Sequence, residues 1–243
     1  NSNIVVGVFD GERLVQSWRL STRREMTADE LQVLLRSLLD ESLAGIRDAA
    51  VASVVPPLTA PTRDAIRDLC GVSPLEVEPG IKTGLRIRYD NPQEVGADRI
   101  VAAVAAFEKY GGPVIVVDFG TATTFDAVSA KGEYLGGAIC PGIAISMEAL
   151  FRHAARLPRV EFARPPQVVG RNTVHSMQSG LVYGFVGLVD GLVGRIQEEL
   201  GFPVKVVATG GLAPLLAGVS RTITDVDEHL TLEGLRLVHE LNR

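Results

Sequence analysis

The 243 residues hold only two cysteines, Cys70 and Cys140, far apart and in no CxxC spacing. That excludes a disulfide scaffold and a zinc knuckle. The four histidines, His153, His175, His229 and His239, show no HExxH-type spacing, so a structural zinc site is not expected. No block of Lys and Arg is present; Arg23-Arg24 is too short to count, and the formal net charge is −5. A nucleic-acid surface is therefore not expected. No uninterrupted apolar run reaches the roughly 18 residues of a spanning helix, so no membrane partner is expected either. No low-complexity linker and no secretory pattern is read, and a reducing cytoplasm is the expected setting.

What is present reads as a globular α/β chain, with 46% hydrophobic and 22% charged residues. Val114-Ile115-Val116-Val117 is a run of β-branched residues, the pattern of a strand buried on both faces. It leads into Asp118-Phe119-Gly120-Thr121-Ala122-Thr123-Thr124. An Asp at a buried strand end is costly unless paired, hydrogen-bonded or facing a cation. Gly120 and the three threonines offer close backbone approach, N–H groups and hydroxyls to an anion. Taken alone, the stretch reads equally well as an ordinary hairpin with an Asp at its turn.

The same design occurs twice. Thr124–Val128, the turn Ser129-Ala130-Lys131-Gly132 and Tyr134–Ile139 form a strand, a glycine turn and a returning strand. Ile4–Phe9, Asp10-Gly11 and Arg13–Leu20 repeat it behind the polar Asn1-Ser2-Asn3. This duplication predicts two similar lobes, over 1–112 and 113–243, with the last helix packing back on the first. The first copy shows no strand ahead of its loop, so the sequence as given is expected to begin in mid-motif, with an Asp-x-Gly segment upstream.

Further along, Thr27 and Glu30 form a capping-box pair before Leu31, Leu34, Leu35, Leu38 and Leu39 on one helix face. A short strand is predicted within 48–55, ending at Pro56-Pro57, and a helix opened by Pro61 and closed by Gly71. Asp98 falls at the start of an alanine-rich helix over 100–110, where a carboxylate suits the free N–H groups. Taken by itself it reads as a plain helix cap. Helices are predicted from Gly142 to about 156, over 174–200 and over 231–241, with strands over 204–208 and 222–226. Gly180, Gly184, Gly187, Gly191 and Gly194 recur every three or four residues on the long helix. Each forgoes up to ~1 kcal/mol of helix propensity, so close packing on another backbone, in the lobe or across a dimer interface, is expected.

Two hairpin loops and the turn Thr209-Gly210-Gly211 match the layout of the acetate and sugar kinase, Hsp70 and actin superfamily. Within it the chain closely resembles the type III pantothenate kinases. The carrying residues are Asn3–Phe9, Ser53-Val54-Val55-Pro56, Tyr89-Asp90-Asn91-Pro92 and Gly96-Ala97-Asp98-Arg99. They continue with Asp118–Thr124, Gly136-Gly137 to Pro141-Gly142, Asn172-Thr173 and Ala208-Thr209-Gly210-Gly211. The resemblance implies two duplicated ribonuclease H-like lobes, mixed sheets flanked by helices, and transfer of the ATP γ-phosphoryl group to pantothenate, the entry to coenzyme A synthesis. It implies Asp98 as general base, and Tyr89, Gly96, Ala97, Asp98, Arg99 and Thr173 as the pantothenate site, with Arg99 on the substrate carboxylate. It further implies Asn1, Ser2, Asn3, Thr121, Gly210 and Gly211 on ATP and Asp118 on a monovalent cation, K⁺ or NH₄⁺. Mg²⁺ and a homodimer are also implied. The family's first-loop Asp, associated with Mg²⁺ and phosphates, is absent from the sequence given. Two other readings stand beside this one: a superfamily kinase for another small hydroxy acid, and a regulatory or accessory protein of the same fold without kinase activity.

Overall fold

A computed structural model describes residues 2–243, the side chain of Glu41 excepted. The chain opens with β1 (Asn3–Asp10), β2 (Arg13–Ser21), α1 (Ala28–Leu39), β3 (Ala50–Val51) and α2 (Pro56–Cys70). Then come β4 (Leu75–Glu76), β5 (Arg86–Ile87), α3 (Ala97–Tyr110), β6 (Val114–Phe119), β7 (Ala122–Val128) and β8 (Glu133–Pro141). It closes with α4 (Ile143–His153), α5 (Thr173–Leu200), β9 (Lys205–Thr209), α6 (Ala213–Ala217), β10 (Asp225–Val226) and α7 (Leu230–Leu241). Two units result: one runs to Ala105 and includes Leu230–Arg243, the other spans Ala106–His229.

In the first unit β1 and β2 form an antiparallel hairpin with a register shift at Val8/Phe9. Helix α1 starts because Thr27 and Glu30 cap each other: the Glu30 amide donates to Thr27 Oγ1 at 3.3 Å and the Thr27 amide to Glu30 Oε2 at 2.9 Å. Its Leu31, Leu35 and Leu39 are buried in a core with Met26, Leu58 and Ala65. Helix α2 begins at Pro56, not at Pro61, which lies inside it. The first turn of a helix needs no N–H, so Pro56-Pro57 starts the helix where the sequence reading had them end a strand. The strand expected over 48–55 shrinks to Ala50–Val51, paired parallel with β4. Beyond it Ser53 turns the chain, taking hydrogen bonds from the Val55 amide at 3.3 Å and from Thr59 Oγ1 at 2.9 Å.

The second unit is built on β6, whose Val114, Ile115, Val116 and Val117 are all fully buried. Its strands run in the order β10-β9-β6-β7-β8, with β6, β9 and β10 parallel and β7 and β8 antiparallel. The β7–β8 hairpin carries one register shift, at Ala127/Val128, as β1–β2 carries one at Val8/Phe9. Ile115, Val117, Phe119 and Phe125 pack against Leu181, Phe185, Val189 and Val193 of α5 and Ile143 of α4. The edge strand expected over 222–226 is only Asp225–Val226, because Thr222 is held by Asp190 of α5 instead. Burial pushes the Asp190 carboxyl up, but hydrogen bonds from Ser220, Thr222 and the Arg221 amide outweigh this and hold it below the usual range.

Helix α5 is long and apolar enough, by length and composition, to cross a membrane, and 39% of its most apolar stretch is buried in the chain itself. Close packing of its glycines within the unit does not occur. A methyl placed on Gly180, Gly184, Gly187, Gly191 or Gly194 would meet nothing within 4 Å. The core face of the helix is instead the row Met177, Leu181, Phe185, Val189 and Val193. The glycines lie off this row, and most are exposed.

Candidate active site

In the first unit the start of α3 sets out the residues expected at the substrate. Asp98 stands in the first helical turn, half-buried, and its Oδ1 accepts the Arg99 amide at 2.9 Å. The Arg99 and Ile100 amides also reach the Gly96 carbonyl, at 3.1 and 3.2 Å. Any side chain on Gly96 would place its Cβ 2.6 Å from Asp98 Oδ1. Glycine there is what lets the carboxylate sit over the helix start. Behind it Val101 and Ala103 are fully buried, so the start of the helix that carries Asp98 is fixed by its core packing. Gly96 and Ala97 wall a cavity of about 1130 Å³ together with Ser53, Val54 and Thr83. Tyr89 is half-buried in the extended stretch after β5, and Asn91 caps the turn that follows, accepting from the Gln93 amide. Ser2 and Asn3 are exposed at the start of β1, with the Ser2 carbonyl taking the Thr22 amide at 2.9 Å. Asn1 lies outside the described residues.

In the second unit three segments converge on the end of β6. Asp118 is half-buried, with Thr124 of β7 and Thr209 of β9 as its neighbours across the sheet. Gly210 follows Thr209 with φ +91°, a left-handed conformation that favours glycine. A Cβ there would lie 2.9 Å from Asp118 Oδ1 and 2.7 Å from the Phe119 carbonyl oxygen. The Gly-Gly turn is therefore pressed directly against Asp118. Gly142 meets the loop from the other side: a Cβ on it would overlap the Thr121 and Gly120 carbonyls. Gly142 is the N-cap of α4 and provides no side-chain cap, and no acidic residue stands in the helix's first turn. The N-terminal end of an 11-residue helix thus abuts the backbone that carries Thr121. Gly142 is a contributor that the sequence reading named as a helix start and a family motif residue but gave no role at the site. The signal was there, in a Pro-Gly step between a strand and a helix.

Thr173 stands apart from this convergence. It is exposed in the first turn of α5, where Asn172 caps the helix by accepting the His175 amide at 2.8 Å. It lines a cavity of about 720 Å³ with Arg171, Ser176, Met177 and Leu150, and no wall of that cavity comes from the β6–β7 loop. Among the described residues no group of three or more His, Cys, Asp or Glu side chains is placed to hold a metal ion. Mg²⁺ does not need such a cage, since it commonly binds through substrate phosphates with one or two carboxylates.

Comparison with known proteins adds the decisive finding. The family model described as type III pantothenate kinase matches residues 1–195. A type III pantothenate kinase of Anaeromyxobacter sp. (strain Fw109-5) is 62% identical over 100% of this chain and 97% of its own length. One from Myxococcus xanthus is 60% identical, over 100% and 96%. The crystal structure of a conserved putative Baf family transcriptional activator from Campylobacter jejuni covers 100% of this chain and 95% of its own, with a TM-score of 0.58. At 21% identity that likeness is one of fold. The second unit is itself α/β, a mixed sheet packed against helices α4 and α5. The chain belongs to the type III pantothenate kinase family.

Proposed function

We propose that this chain performs the ATP-dependent phosphorylation of pantothenate to 4'-phosphopantothenate, the first step of coenzyme A biosynthesis, with Asp98 as the base that takes the hydroxyl proton. The observation that carries this reading is the near-complete correspondence, at about 60% identity, with relatives named for that reaction. Phosphoryl transfer asks for alignment, charge neutralisation and a group to orient the nucleophile. Asp98 fits the last role, as a carboxylate fixed at the head of a buried helix. Arg99 is assigned to the substrate carboxylate, since a guanidinium pairs with it by a charge-assisted fork. Tyr89, Gly96, Ala97 and Thr173 complete the pantothenate contacts.

The ATP phosphates are assigned to the loop at Thr121, beside the amide end of α4, with Gly210 and Gly211 and the Asn1–Asn3 segment as further ATP contacts. Mg²⁺ supplies neutralisation of the phosphate charge when it binds with the nucleotide. Asp118 is assigned to a monovalent cation, K⁺ or NH₄⁺. Its half-buried carboxylate, held close by the Gly210 turn, suits a single positive charge. In a coupled ADP assay with pantothenate, ATP and Mg²⁺, replacing K⁺ by Na⁺ removes most of the rate. Equal rates in the two salts would remove the cation assignment.

The chain is further proposed to form a homodimer through α5, in the cytoplasm. Five helix glycines with open space beside them forgo about 4–5 kcal/mol of helix propensity relative to Ala. Ile139, Ile145, Val168, Val169 and Val174 of the same unit are exposed apolar side chains. A second copy packed backbone-to-backbone offsets both, and it accounts for a helix apolar on more than its core face. Sedimentation at micromolar concentration gives a dimer, and Gly184→Leu shifts it to monomer with helix content unchanged. A wild-type monomer contradicts the dimer.

A further inference from the structure

Strand β7 carries a polar chain that none of the roles above employs. Asp126 is 1% exposed and Tyr134 fully buried. The Tyr134 hydroxyl donates to Asp126 Oδ1 at 2.6 Å, and the Thr124 hydroxyl donates to Asp126 Oδ2 at 3.1 Å. A buried carboxylate is tolerated only with such partners. The register places Thr124 directly opposite Asp118 and Asp126 opposite Val116. Because side chains alternate along a strand, Asp118, Thr124 and Asp126 stand on one face of the sheet. Directly opposed residues have Cβ atoms about 5 Å apart, so Thr124 stands within reach of both carboxylates.

A threonine hydroxyl has one proton and two lone pairs, and an ionised carboxylate only accepts. Thr124 gives its proton to Asp126, which leaves its lone pairs for whatever lies beside Asp118. An oxygen in that state attracts a cation and repels a phosphate. Thr124 thus stands between the two carboxylates on this face. A carboxylate with neutral oxygens beside it complements a single positive charge.

We propose that Thr124 gives a neutral oxygen to the monovalent-cation site at Asp118, and that Asp126 and Tyr134 are positioning residues that hold its hydroxyl with the lone pairs outward. The proposal rests on the assignment of Asp118 to that cation. Its test uses the full chain without substrates, comparing thermal midpoints in KCl and NaCl and titrating Tl⁺ by ²⁰⁵Tl NMR. The K⁺ concentration for half-maximal activity is a second readout. Wild type is stabilised by KCl over NaCl, and Asp118→Asn loses that difference. Thr124→Val weakens K⁺ and Tl⁺ about tenfold, the usual size of an effect around a metal ligand. Thr124→Ser restores binding toward wild type, and Tyr134→Phe weakens it by a smaller factor. If Asp118→Asn loses the K⁺ effect while Thr124→Val keeps wild-type affinity, whether or not it is less stable, the inference is overturned and Asp118 stands. If wild type shows no K⁺ effect, or Asp118→Asn retains it, the Asp118 assignment falls and takes the inference with it.

Discussion

Asp98→Asn will lower kcat for pantothenate phosphorylation by about 10²–10⁴-fold, the range associated with loss of a positioned general base. The substitution is well suited to the question because it keeps the local structure. The Asp98 atom that accepts the Arg99 amide, Oδ1, has a counterpart in asparagine, so the helix start retains its bond. Gly96, which leaves room for that oxygen, is untouched. KM for pantothenate is expected to stay within a few-fold, since Arg99, Tyr89 and Thr173 remain. Steady-state kinetics alongside a thermal melt check this. A variant that folds normally and turns over at the wild-type rate contradicts the assignment of Asp98 as base.

The second large effect belongs to Gly210→Ala. At φ +91° any side chain is strained, and here the methyl also runs into Asp118 Oδ1 and the Phe119 carbonyl, at 2.9 and 2.7 Å. The Phe119 carbonyl is backbone and cannot swing aside as a side-chain end can. Backbone strain of this kind costs about 1–3 kcal/mol, and relief by shifting Asp118 moves a residue assigned to the cation. The expected result is a rate about tenfold lower or more, a higher KM for ATP and a lowered thermal midpoint. Gly218→Ala is the control in the same unit: its φ is −65° and its nearest neighbours lie at 3.7 Å. It changes neither rate nor midpoint appreciably. Wild-type kinetics in Gly210→Ala would show that the turn is not held against Asp118 as described.

Local signals in the sequence carried most of the elements. The Thr27–Glu30 box fixed the start of α1, and the β-branched run at 114–117 marked a strand that is fully buried at those four positions. Both are decided within a few residues, so tertiary context had little to overrule. Pro56-Pro57 went the other way, because a proline pair fits the end of a strand and the first turn of a helix equally well. The α5 glycines announced close packing but could not say against what, and the space beside them is open within the chain. At the site, the residue types of the Asp98 and Asp118 loops were legible. The approach of Gly142 and Gly210 to the Asp118 loop was not, since it depends on which strand ends and helix starts meet in space. The bond from Tyr134 to Asp126 was also hidden: it spans eight residues across a hairpin whose register shifts at Ala127/Val128.

The central claim is that this chain moves the γ-phosphoryl group of ATP onto pantothenate. The most direct measurement is mass spectrometry of the product after incubating the purified protein with pantothenate, ATP, Mg²⁺ and K⁺. The account predicts 4'-phosphopantothenate formed in step with ADP. ATP left intact in the presence of pantothenate, or ADP released with no phosphorylated pantothenate, would contradict it.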